Sequence, residues 1–240
     1  MIDPSSIIPL YHQLKEILRE KVESGEWRPH QLIPSEPRLA MEYGVSRATA
    51  RRAIEDLTRE GLFYRKQGKG TFVNSPKIEQ GLERFYSFSK DMETKGLNPG
   101  TEVLHLKEVA PNAKIRTQLQ LSEGANVFEI QRLRLVKSEP VILETSWLPA
   151  DLFPGLTLEA LERNSLYDLM EKIYGIRPVR AEEYFEPVCV DDYESEMLGV
   201  KEGSPALLLH RIAYSESGRP VEVCKGIVRG DKCRYYVKLA

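Results

Sequence analysis

Apolar residues recur at three-to-four spacing between about Pro9 and Glu23, where Leu10, Leu14, Ile17, Leu18 and Val22 fall on one helical face. Ser24-Gly25 ends that run. Pro34-Ser35-Glu36-Pro37 opens a second helix: Ser35 is placed to cap free backbone N–H groups, and Pro37 is tolerated in the first turn. Its stripe of Leu39, Ala40 and Tyr43 is short and closes at Gly44. Ser46 then caps a third helix with Ala50, Ala53, Ile54 and Leu57 on its inner face, stopped by Gly61. Two helices joined across Tyr43-Gly44-Val45 predict a helix-turn-helix. After Gly61, residues 62–65 and 70–73 are β-prone runs around Gln67-Gly68-Lys69-Gly70, which predicts a hairpin with a basic, glycine-rich tip.

Residues 80–240 mix short helical patterns, near 165–174 and 191–198, with long β-prone runs, and they carry a faint internal repeat. Glu123-Gly124 is followed eight residues after the glycine by Arg132, and Glu202-Gly203 likewise by Arg211. Pro140 and Pro220 follow those arginines by eight and nine residues. The shared unit reads as helix end, strand, hairpin turn and returning strand. An α+β chain is expected, with a mostly antiparallel sheet and flanking helices behind the helix-turn-helix, rather than a doubly wound parallel sheet. Asn74-Ser75-Pro76-Lys77 is the most loop-like early stretch, so residues 1–75 and 82–240 are expected as two domains joined by a linker at 76–81.

Composition adds limits. The chain has 240 residues, 41% hydrophobic and 29% charged, enough to bury two cores. No apolar run approaches the roughly 20 residues that span a bilayer. Met1-Ile2-Asp3-Pro4 lacks the basic-then-apolar layout of a signal peptide, so no membrane partner and a cytoplasmic location are expected. Cys189, Cys224 and Cys233 are too widely spaced for a zinc or redox pair and read as small, partly buried residues. A net charge of −2 first argues against nucleic acid. Divided at residue 75, however, it becomes +2 and −4, and residues 45–74 hold seven basic against three acidic side chains.

That local excess sits where a groove reader needs it. Helical spacing turns Arg47, Thr49, Arg51 and Arg52 outward, where arginine can donate two hydrogen bonds to guanine and threonine can reach a base or a phosphate. A solvated charged face would share this layout, but the unusually small inner residues and one-signed charge favour the groove. At the hairpin tip, Gly68 allows close backbone approach and Lys69 adds charge.

In the second domain, alternation along 127–136 places Phe128, Ile130, Arg132 and Arg134 on one face. Two guanidiniums on a partly apolar face need an anion, either a bound phosphate or carboxylate or the side chain of Glu144 on the next strand. Asn164-Ser165-Leu166-Tyr167 and Phe88-Ser89-Lys90-Asp91-Met92 read as helix starts; Ser165 either helps bind an anion or simply caps. His12, His30, His105 and His210 do not cluster at metal-ligand spacing, and no nucleophile elbow or phosphate loop is present. No enzyme, cofactor or metal site is expected.

The residues Pro34-Ser35-Glu36, Leu39-Ala40, Tyr43-Gly44-Val45-Ser46-Arg47, Thr49, Arg51, Ala53-Ile54, Leu57, Glu60-Gly61-Leu62 and Gly68-Lys69-Gly70-Thr71-Phe72-Val73 closely resemble the winged helix-turn-helix of the GntR family of bacterial transcription regulators. The resemblance implies that Arg47, Thr49 and Arg51 contact DNA and that Gly68 enters the minor groove. The family often has arginine directly after Pro-Ser-Glu; here Pro37 stands there and Arg38 follows as the candidate replacement.

Phe88-Ser89-Lys90-Asp91-Met92, Gly96, Pro99-Gly100, Arg132-Leu133-Arg134, Glu144, Ser165-Leu166-Tyr167-Asp168, Leu198-Gly199-Val200, Gly203, Glu222 and Arg229-Gly230-Asp231 resemble the UTRA effector-binding domain of the HutC subfamily, whose fold is similar to that of chorismate lyase. The most similar members sense N-acetylglucosamine 6-phosphate or glucosamine 6-phosphate. By that resemblance Arg132, Arg134, Ser165 and Tyr167, with the Phe88-Ser89-Lys90 helix start, hold the phosphate, while Glu144 and Glu222 hold sugar hydroxyls. Those regulators have a tyrosine where this chain has Val228. The expectation is a homodimeric repressor on a near-palindromic operator, controlled by a small phosphorylated effector. A chorismate-lyase-like enzyme fused to a DNA-binding head, and a constitutive dimeric factor without an effector, are the alternatives.

Overall fold

In the computed structural model of the chain, which describes residues 2–83 and 85–239, the three amphipathic runs are α1 (Leu10–Glu23), α2 (Glu36–Tyr43) and α3 (Arg47–Arg59). Gly44 ends α2 in the left-handed region at φ 66°. Ser46 caps α3, its Oγ accepting from the Thr49 N–H at 3.1 Å. Ser35 stands at the N-cap of α2 but makes no side-chain capping bond. Pro37, in that helix's first turn, has no N–H to offer it. Ala50, Ala53, Ile54 and Leu57 are buried against Leu14, Leu18 and Leu39, and Trp27, Ile33, Phe63 and Val73 complete the core. The two alanines let α3 lie close to its neighbours.

The hairpin strands are β1 (Phe63–Lys66) and β2 (Gly70–Val73), paired antiparallel with Tyr64 opposite Phe72. These two rings stack at 5.6 Å between centroids. Replacing Ser46 with alanine should cost about 1 kcal/mol through loss of the cap. The loss would appear as faster hydrogen exchange of the first-turn amides of α3; unchanged exchange would show that the cap contributes nothing.

The remaining elements are β3 (Ile78–Gly81), α4 (Phe88–Thr94), β4 (Pro99–Val109), α5 (Ala113–Gln118), β5 (Val127–Val136), β6 (Glu139–Pro149), α6 (Leu158–Arg163), α7 (Leu166–Lys172), β7 (Pro178–Cys189), α8 (Asp192–Leu198), β8 (Pro205–Ser215), β9 (Pro220–Arg229) and β10 (Cys233–Tyr236). Six strands form one antiparallel sheet in the order β4-β5-β6-β9-β8-β7. The order follows from the internal repeat. The chain runs β4-α5-β5-β6 and then β7-α8-β8-β9, and the halves meet at β6 and β9. In that central pair Thr145 faces Lys225, Glu144 faces Gly226 and Ser146 faces Cys224. A pseudo-two-fold axis through the Thr145–Lys225 pair therefore relates the halves and carries Arg132 onto Arg211.

Each face of the sheet has its own core. Phe128, Ile130 and Leu148 pack under Leu161 of α6 and Leu166, Leu169 and Met170 of α7. On the other face Leu133, Leu143 and Ile227 meet Leu198 of α8, and Val127, Ile212 and Val223 meet Ile115 of α5.

The chain divides into one unit of Met1–Ile78 with Gly230–Arg234, and a second of Glu79–Arg229 with Tyr235–Ala240. The loop expected over 76–81 contains β3, which pairs with β10. Ile78 N donates to Lys232 O at 2.7 Å and Leu82 N to Tyr236 O at 2.9 Å. These partners come from the far end of the chain, where local composition gives no sign of them. Residues 230–234, expected in the second domain, group with the first unit, where Lys77 Nζ donates to Gly230 O at 2.6 Å. Of the cysteines, Cys224 and Cys233 are buried but Cys189 is exposed, so the third does not follow the burial expected of all three. Among the described residues no helix is long and apolar enough to cross a membrane.

Candidate nucleic-acid interface and anion site

α3 is fixed by its buried alanines, so its opposite face is exposed. Arg47 and Arg51 keep most of their side chains in solvent, at 74% and 63%. Both lie beside carboxylates: Arg47 Nε is 3.7 Å from Glu36 and Arg51 Nε 3.3 Å from Glu55. At such exposure these pairs contribute little and leave the guanidiniums free to exchange one anion for another. Arg65 of β1, absent from the sequence-based candidates, reaches the same two acids, Glu36 at 3.4 Å and Glu55 at 3.9 Å. Arg52 is placed differently, its guanidinium lying 3.7 Å from the centre of the Tyr11 ring of α1. Thr49 is partly committed too, since its hydroxyl bonds Ser46 Oγ at 2.8 Å. Arg38 is exposed on α2. At the hairpin tip Lys69 N donates to Lys66 O at 2.9 Å, closing a turn that holds Gly68 at φ 71°. A side chain there would have open space but a strained backbone.

In the second unit, the period of two along each strand puts Arg132 and Arg134 of β5, Glu144 and Ser146 of β6, Glu222 and Cys224 of β9, and Arg211 of β8 on the sheet face covered by α7. Arg132, Arg134, Arg211, Ser146 and Glu222 are all buried. Arg132 Nη2 lies 2.7 Å from Glu144 Oε1 and donates to Ser146 Oγ at 3.1 Å. Ser146 donates to Glu222 Oε1 at 2.7 Å, and Tyr167 of α7 donates to Glu222 Oε2, also at 2.7 Å. Arg211 Nη1 in turn donates to Tyr167 Oη at 3.1 Å, while its Nε and Nη2 both meet Glu183 Oε1 of β7 at 2.6 Å. Tyr86 donates to the same Glu183 oxygen at 3.0 Å.

Arg134 stands apart. Its Nη2 donates to Ser89 Oγ at 2.7 Å and its guanidinium lies 4.8 Å from the Phe88 ring, but its nearest carboxylate, Glu144, is 3.8 Å away. Burial lowers its pKa to about 10; Glu144 offsets part of that, and Arg132 pushes it further down. Arg132 is equally buried, yet Glu144 and Glu222 outweigh the desolvation and its pKa is raised. The Nε–H groups of Arg132 and Arg134 find no hydrogen-bond partner among the described residues. Leaving a buried donor unpaired costs about 1–3 kcal/mol. The arrangement can accept an anion at Arg134 and Ser89, with carboxylate acceptors for hydroxyl groups one and two strands away, Glu144 on β6 and Glu222 on β9.

The other expected site residues lie around this network with different contacts. Ser165 accepts from the Asp168 N–H at 3.3 Å as the cap of α7. Lys90 pairs with Asp168 at 3.0 Å and with Glu171 at 3.7 Å. α4 and α7 have seven residues each, so the dipole at either helix start is short. Val228 is fully buried in line with Arg134 and Ile142, and brings no hydroxyl. Ser146, Arg211, Glu183 and Tyr86 were missed. Ser146 could have been found as the next residue facing the same way as Glu144, and Arg211 as the counterpart of Arg132 in the repeat.

Residues 10–73 match the gntR family of bacterial regulatory proteins, and residues 94–234 match the UTRA domain. The HTH-type transcriptional repressor NagR of Bacillus subtilis is 35% identical over 231 residues, 96% of this chain and 95% of its own. The mannosyl-D-glycerate transport/metabolism system repressor MngR of Escherichia coli is 29% identical over 95% of this chain and 94% of its own. Among solved structures, PhnF of Mycobacterium smegmatis superposes with a TM-score of 0.65 at 26% identity, covering 95% of this chain and 99% of that one.

Proposed function

The chain belongs to the gntR family of bacterial regulatory proteins and carries a UTRA domain, and from that premise we propose that it is a homodimeric repressor whose operator affinity is set by a small phosphorylated ligand in the second unit. The family's members are transcription regulators, not enzymes, and NagR and MngR, which match nearly the whole chain, are repressors. Arg134 is the observation that supports the ligand: a buried guanidinium with incomplete charge compensation and an unpaired Nε–H, beside the Ser89 hydroxyl. Arginine's planar fork matches a phosphate in two hydrogen bonds. Glu144 and Glu222 then face the rest of the ligand and accept from hydroxyl or amino groups, which fits an amino-sugar phosphate or another sugar phosphate. A dimer follows from the reading head, because one recognition helix reaches few base pairs and two heads on matched half-sites multiply affinity.

Thermodynamic reciprocity supplies the test. An operator recovered by in-vitro selection is titrated with the protein, with and without glucosamine 6-phosphate and N-acetylglucosamine 6-phosphate. A true effector should change operator affinity by roughly 5- to 150-fold, the usual range of allosteric coupling. Operator affinity identical in the presence of each sugar phosphate would remove the effector half of the proposal and leave the DNA-binding half standing.

A further inference from the structure

Arg132 and Arg211 occupy equivalent places in the two halves of the sheet, yet their carboxylates do not. Arg132 faces Glu144 on the inner strand β6, whereas Arg211 faces Cys224 at the equivalent place on β9. Without an inner acid, Arg211 turns to the outer strand and takes Glu183, its register partner on β7. That leaves Nη1 to point at Tyr167. An arginine only donates, so Tyr167 Oη must accept from it and must spend its own proton on Glu222 Oε2. Glu222 Oε1 receives the Ser146 hydroxyl, which itself accepts from Arg132. Glu222 therefore sits between two hydroxyl donors, each backed by one of the repeat-related arginines.

We propose that Arg211 is a positioning residue of the ligand site: through Tyr167 it fixes the orientation of Glu222 as a hydrogen-bond acceptor, and so selects ligands that present a hydroxyl or ammonium donor to that carboxylate. This rests on the effector reading above. Arg211 touches no ligand in this scheme. The phosphate end at Arg134 and Ser89 does not depend on it, so the selectivity it confers is separate from anion binding.

Isothermal titration with glucosamine 6-phosphate and with inorganic phosphate tests the assignment on the full-length chain. Tyr167→Phe removes the relay without changing charge. The pair Arg211→Met with Glu183→Gln removes the arginine while keeping the buried charge balanced. Each should weaken the sugar phosphate by about tenfold to a hundredfold, the range for a hydrogen bond to a charged group. In the Arg211→Met, Glu183→Gln pair, inorganic phosphate should change by less than about twofold, so the ratio of the two affinities falls with the first. All changes combined should be no weaker than either alone, because residues acting through one another are not additive. Arg211→Lys should not restore the ratio, since an ammonium lacks the fork that holds Glu183 and Tyr167 together. Variants that melt lower but keep the wild-type ratio would overturn the positioning role alone. Wild-type protein that binds neither probe would overturn the positioning role and the effector reading together.

Discussion

Arg134→Met should leave the unliganded protein as stable as wild type or more so, and should abolish its response to phosphorylated ligands. Arg132→Met, two residues away on the same strand, should lose about 3–5 kcal/mol, the cost of stripping one partner from a buried ion pair. The contrast arises from their surroundings. Arg132 is the counter-ion of Glu144 at 2.7 Å and the donor to Ser146, so its removal leaves a buried carboxylate uncompensated. Arg134 has only the Ser89 hydroxyl at short range, and burial already depresses its pKa to about 10. Folding works against that charge, so an apolar side chain relieves a cost. On the proposed reading, the cost is offset when an anion binds. Urea unfolding of both variants, with and without glucosamine 6-phosphate, separates the cases. Equal destabilisation would make Arg134 a structural partner of Glu144, and a retained ligand response would place the anion elsewhere.

At the other end of the chain, Arg47→Ala should weaken operator binding by about 1–3 kcal/mol per half-site if Arg47 reads a base. In a dimer the change enters twice, for about 2–6 kcal/mol in all. Arg52→Ala should affect base preference far less, because that guanidinium lies on the Tyr11 ring and joins α3 to α1. Its loss should register mainly as stability, in part through packing of the arginine stem. Anisotropy titrations on the selected operator and a scrambled duplex, at two salt concentrations, distinguish the roles. Equal weakening on both duplexes, with a shallower salt dependence, would make Arg47 a phosphate contact instead.

Most of the fold could be read from spacing because its signals are local. Ala50, Ala53, Ile54 and Leu57 lie on one turn-to-turn stripe, and Phe128, Ile130, Arg132 and Arg134 alternate along one strand, so their common faces follow from geometry alone. The repeat of Gly124, Arg132 and Pro140 with Gly203, Arg211 and Pro220 foreshadows the two hairpins. What escaped was decided by distant partners. β3 is a strand only because β10 returns beside it. Arg52 looks like its neighbours until Tyr11 is placed under it. The same limit applied to the ligand site. Arg132 and Glu144 lie close in sequence and the resemblance adds Glu222, but Arg211, Glu183 and Tyr86 join them only by side-chain contacts across β8 and β7 that spacing along the chain does not show.

Neither half of the six-stranded sheet could stand alone with its edges covered. Severed after β6, the first half would expose Glu139–Pro149 as an open edge, a template for another strand. An identical strand arriving antiparallel would close it, and the axis of that union would pass through position 145. The β6–β9 pair has this geometry within one polypeptide, so the sheet is built as two like halves paired about an internal axis and joined covalently. In a sheet with exact symmetry, a ligand on that axis would meet the same acid twice. Here Glu144 stands opposite one arginine and Cys224 opposite the other, so the cleft has two distinguishable ends.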